Sequence, residues 1–85
     1  MGVTWTASAD KHGIPHDEAL YSMAHAVHVA QDVRSAGQSA TLFIGPSRFG
    51  TLEVLAEITP PDGVMIFHVM RLRESTRTAV GYEGD

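Results

Sequence analysis

The chain is predicted to be an α+β domain: two N-terminal helices packed on one face of a 3–4-stranded, mainly antiparallel sheet. Three observations predict it. Apolar residues before residue 27 recur with a helical period, whereas after residue 40 they alternate as in strands. Between the last two alternating stretches lies PPDG, a strong turn signal in which proline sets φ and glycine accepts φ > 0. The 85 residues suffice for one small domain with a thin core.

TWTASADKHG offers candidate helix caps at Thr4, Thr6 and Ser8, and Gly13 is placed to end a short helix in the left-handed conformation. Pro15 suits the first turn of a second helix, with Asp17 and Glu18 favourable against its dipole. Leu20, Met23, Ala24 and Val27 then mark its buried face, and the helix is expected to stop near Ala26. VHVAQDV reads as a short edge strand and RSAGQSA as a polar loop. TLFIG follows as a buried strand and PSRFG as a turn.

LEVLAEI puts Leu52, Val54, Ala56 and Ile58 on one side and Glu53, Leu55 and Glu57 on the other. With Thr59 opposite Val64, the hairpin pairs Ile58 with Met65, Ala56 with Phe67 and Val54 with Val69. All these pairs are apolar, so that face is expected against the helices, with Phe67, Val69, Val54, Ile58, Leu20 and Met23 buried together. His68 then falls on the opposite, open face beside Leu55, diagonal to Glu53 and Glu57. The tail, 81–85, is expected to be flexible, because beyond Tyr82 it offers only glycine and acid.

Composition narrows the function. Ten acids against six bases give a net charge of −4, which excludes long-range steering toward nucleic acid. Yet three of the six bases, Arg71, Arg73 and Arg77, fall within seven residues, so a local positive patch is expected. No apolar run approaches the roughly 20 residues of a membrane span. The start of the chain carries no export signal, and the absence of cysteine fits a reducing cytoplasm.

His68 with Glu53 or Glu57 is the best acid–base candidate, because histidine titrates near neutrality and a neighbouring carboxylate orients its ring. The plainer reading is a cross-strand pair on a solvated face. Arg71, Arg73 and Arg77, joined by Arg48 from the turn before LEVLAEI, could clamp a phosphate between planar guanidinium forks. No metal or other cofactor is expected. His12 and His16 are split by Gly13 and Pro15, while His25 and His28 straddle a helix end without a cysteine. GPSRFG lacks the lysine of a phosphate-binding loop.

Trp5, then KHGI (Lys11 to Ile14), then DEAL (Asp17 to Leu20), with a late strand ending in arginines, resembles the BrnT-like toxins of bacterial toxin–antitoxin modules. The resemblance implies a RelE-like fold and a small endoribonuclease that works without metal. It implies Glu53 as base, His68 as acid, and Arg48, Arg71 and Arg73 on the phosphate. Tyr82 would stand for a late tyrosine, with Lys11 and Arg77 as further RNA contacts. An antitoxin protein would cover the site. The departures are the acidic balance, FHVMRLR in place of a serine-alanine-arginine run, and a short ending after Arg77.

Two functions are therefore carried forward. One is the RNA-cleaving toxin. The other is a non-catalytic module that docks a partner through its open sheet face and arginine edge. Leu55, Ile66, Met70 and Leu72 on that face favour a cover, whether an antitoxin, a second copy forming a homodimer, or another protein.

Overall fold

In the computed structural model, which describes residues 2–35 and 37–84, five strands form one mixed sheet in the order Gly2–Trp5, Gly63–Arg71, Leu52–Thr59, Gln38–Gly45, His28–Ser35. The strands are β1 (Gly2–Trp5), β2 (His28–Ser35), β3 (Gln38–Gly45), β4 (Leu52–Thr59) and β5 (Gly63–Arg71). One helix lies on each face: α1 (His16–Ala24) and α2 (Glu74–Val80). The expected pair of N-terminal helices on a 3–4-stranded, mainly antiparallel sheet does not form. The first of those helices is instead β1 followed by a single 3₁₀ turn, Ala7–Asp10. The physical reason is long-range. Val3 and Trp5 pair in parallel with Val64 and Ile66, completing the otherwise bare edge of β5, and no local period announces such a pairing.

α1 starts where expected, with Pro15 as its N-cap, but it buries a different stripe. Glu18, Ala19 and Ser22 are inside, whereas Leu20 and Val27 remain 42% and 62% exposed. The small residues decide this. Gly45 at the end of β3 lies so close to the helix that a Cβ there would collide with the Ser22 carbonyl. A bulkier stripe of leucine and valine could not approach so far.

RSAGQSA is mostly strand, because β2 and β3 extend to a tight turn at Gly37, whose φ of 79° suits glycine. β2 is the edge strand expected, bent by an irregularity between Ala30 and Val33 where Asp32 has φ 60°. β4 and β5 meet around Pro60–Asp62 as predicted. From Leu52 to Leu55 the ladder follows the proposed register, with Val54 opposite Val69 and Leu55 opposite His68. A bulge then intervenes, so that Ala56 faces Ile66 rather than Phe67, and Ile58 faces Val64. Phe67 is the extra residue, and its ring turns to the other side of the sheet.

The core is therefore two layers. Leu52, Val54, Ala56, Ile66 and Val69 pack toward Ala19 of α1, with Met23 against them. Ala40, Leu42, Ile44 and Leu55 form the second layer, against Phe67, Leu72, Val80 and Tyr82. The supposedly open face is thus partly covered, by Leu72, Val80 and Tyr82 before, within and after α2. Ile66 does not belong to it, being fully buried on the α1 side, and Ile58 is 47% exposed instead of buried. Of the tail, Asp85 lies outside the described residues, while Tyr82 packs into the second layer. No helix among the described residues is long and apolar enough to cross a membrane.

Candidate active site around Glu53

Glu53 points from β4 to the α2 side of the sheet, between Ile44 and Met70, and its side chain is only 1% exposed. A carboxylate buried this deeply must be paired. Four donor bonds come from His68 and Arg73. His68 Nε2, two residues along β5 from Met70, lies 2.7 Å from Oε2. Beyond β5 the chain folds back, with the Leu72 N–H donating to the Thr51 carbonyl at 2.9 Å. This delivers Arg73 as the N-cap residue of α2. Its backbone N–H donates to Oε1 at 2.9 Å, and its Nε and Nη2 donate to Oε2 at 3.0 and 2.7 Å.

Electrostatics follow from this geometry. Burial alone pushes the Glu53 carboxyl up. His68, the side chain and backbone N–H of Arg73, and the Thr76 hydroxyl outweigh it and bring the pKa down to about 2. Glu53 is therefore a fixed anion at neutral pH. His68 is 20% exposed and the Arg73 side chain 49%, so both present one edge to Glu53 and another outward. A cleft of about 150 Å³ on the α2 side is lined by Arg34, Leu42, Glu53, Arg73 and Thr76, with His68 outside its lining.

A second histidine reaches the same place. Past the end of β1, the 3₁₀ turn continues along β5, held by the Thr6 N–H on the Ile66 carbonyl at 3.1 Å and the Ser8 hydroxyl on the Phe67 carbonyl at 2.7 Å. The turn that follows sets the His12 ring 6.1 Å from that of His68, nearly perpendicular at 78°. Sequence reasoning missed His12, because its proximity depends on the parallel pairing of β1. The neighbouring His16 is engaged elsewhere, stacked on Trp5 at 3.6 Å and bonded to Asp10 at 2.6 Å.

The remaining sequence-predicted residues scatter. Of the two carboxylates considered for His68, it meets Glu53, while Glu57 lies toward the hairpin end beside Ile58 and Gln31. Arg71 opposes Leu52 on the other face and donates through Nε to the Phe49 carbonyl at 3.0 Å. Arg48 is bound to Glu18 of α1 through both its backbone N–H, at 2.8 Å, and its guanidinium. Those hydrogen bonds hold the Glu18 carboxyl below its usual range and raise Arg48. Arg77 lies over the Tyr82 ring at 5.3 Å, at the far end of α2. Lys11 is exposed in the turn that carries His12. The structure thus brings together His68, Glu53 and Arg73, adds His12, and separates Arg71, Arg48, Arg77 and Tyr82 from them.

Among the described residues, no group of three or more histidines and carboxylates is placed to hold a metal ion. No family model, curated protein or solved structure matches the chain.

Proposed function

We propose that this chain is a small endoribonuclease of the toxin type, cutting RNA in the cytoplasm by metal-independent acid–base chemistry and restrained by an antitoxin protein. The observation that supports the reading best is the joint placement of His68 and Arg73 by one buried carboxylate. Holding a proton-transfer group and a guanidinium rigidly side by side is what in-line cleavage of a phosphodiester requires. His68 serves as the acid that protonates the leaving 5′-oxygen. Arg73, with Nε and Nη2 committed to Glu53, offers its Nη1 edge to the phosphate. Glu53 acts as the residue that positions both. A carboxylate with donors from His68, Arg73 and Thr76 on it and a pKa near 2 is too weak and too enclosed to serve as the base.

Purified protein incubated with RNA in excess chelator, beside folded His68→Ala and Arg73→Ala, tests this reading. Cleavage that survives chelation and falls 10²–10⁴-fold in either variant supports it. Cleavage abolished by the chelator, or unaltered in both variants, sinks it. Growth arrest on induction, relieved by a small antitoxin encoded nearby, tests the toxin part separately.

The corner where Arg71 meets the Phe49 carbonyl favours a second reading, a docking module. Phe49 is 38% exposed there and the Arg48 side chain 75%, an apolar group beside cationic ones. A wild type that neither cuts RNA nor arrests growth, yet loses its protein partner on Arg71→Glu, would favour it.

A further inference from the structure

We propose that His12 is the base of this site, completing a two-histidine device with His68. The proposal rests on the RNA-cleaving reading above, which leaves the proton of the attacking hydroxyl without an acceptor.

Three observations point to His12. Its ring stands edge-on to that of His68, the centroids 6.1 Å apart and the planes at 78°. A base or an acid acts across roughly 2.6–3.2 Å, so two rings at this spacing reach one phosphodiester from either side. Next, no hydrogen bond from a described residue occupies the His12 ring, which is exposed. Finally, the rings differ in surroundings. His68 is held through Nε2 by the Glu53 carboxylate, which fixes its ring and leaves its other nitrogen for a substrate. His12 has no such partner against its ring among the described residues, so both of its nitrogens are left for a substrate. Charged groups near the pair include Glu53 from β4, Arg73 from the start of α2, Lys11 beside His12, and Asp10 two residues before it, the last bonded to His16.

The step balances without a co-reactant. The His12 imidazole takes the proton of the ribose 2′-hydroxyl as the 2′-oxygen bonds to phosphorus. The bond from phosphorus to the 5′-oxygen breaks, and that oxygen takes a proton from the His68 imidazolium. The products are a 2′,3′-cyclic phosphate and a free 5′-hydroxyl. His12 ends protonated and His68 neutral, and solvent resets both. Arg73 stabilises the charge gathering on the non-bridging oxygens.

The experiment is the pH–rate profile of kcat/KM for wild type, His12→Ala, His12→Gln and His68→Ala, each confirmed folded by circular dichroism. A dinucleotide and an analogue whose leaving group is nitrophenolate serve as substrates. Wild type should give a bell. Both His12 variants should fall 10²–10⁴-fold on either substrate and lose the acidic limb, where a base must shed its proton. His68→Ala should lose the alkaline limb and recover most of its rate on the nitrophenyl substrate, which needs no acid. A wild type with no cleavage at all overturns the function itself, and His12 with it. An active wild type whose His12 variants keep the bell and stay within tenfold overturns His12 alone.

Discussion

Replacing Glu53 with glutamine keeps the volume of the side chain and removes its charge, so it isolates what the anion contributes. The amide retains one acceptor oxygen. If that oxygen keeps His68 and the Arg73 guanidinium, the NH₂ group faces the Arg73 backbone N–H, donor against donor. Breaking a buried pair by removing one partner costs about 3–5 kcal/mol, and the half-exposed Arg73 can find water, so the lower end applies. Linkage gives a similar size. The Glu53 carboxyl falls from 4.5 to about 2 on folding, and each tenfold change in its acid constant is worth about 1.4 kcal/mol, roughly 3 kcal/mol in all.

A chain of 85 residues has only about 4–13 kcal/mol of stability to lose, and each kcal/mol moves its melting temperature about 4–8 °C. Glu53→Gln at pH 7 should therefore melt roughly 12–24 °C below wild type. Because the folded pKa is depressed, this contribution is complete above pH 4.5 and fades as pH drops through about 2. Wild type and variant melting curves, recorded by circular dichroism from pH 7 downward, should converge at the acidic end. A gap under about 3 °C at pH 7, or one that widens on acidification, would show that Glu53 is not the anchored anion described here.

Two further predictions concern the packing. Gly45→Ala drives a methyl into the Ser22 carbonyl and should cost at least 1–3 kcal/mol, whereas Ser22→Ala, which removes a buried hydroxyl without a partner among the described residues, should be neutral or stabilising by up to about 1 kcal/mol. Urea titration of both variants checks the pair, and equal losses would refute the close approach. Ile66→Ala should cost about 3–4 kcal/mol and Phe67→Ala only about 2, because the bulge buries the first fully and leaves the second half-buried. The reverse order would restore the straight ladder.

What could be read from the chain alone divides along physical lines. The hairpin and α1 were legible because their signals are local: a PPDG turn, alternation in LEVLAEI, and an acidic first turn after a proline. The meeting of His68 with Glu53 was legible for the same reason, since the ladder from Leu52 to Leu55 follows the straight register. The bulge was not, because β5 packs against both layers and reads as a nearly unbroken apolar run, with no alternation for an extra residue to disturb. α2 was hidden differently. ESTRTAV is a poor helix by propensity, with two threonines and apolar residues only at its end, and is tied down by the Arg73 bonds to Glu53 and by Tyr82 behind it. β1 is four residues whose partner lies at the other end of the chain. These illegible features also assemble the site. β1 and its 3₁₀ turn carry His12 to His68, and the start of α2 carries Arg73 to Glu53. A reading confined to local pattern could find the carboxylate and one imidazole, but the groups that would make them a proton-transfer site arrive only through contacts distant in sequence.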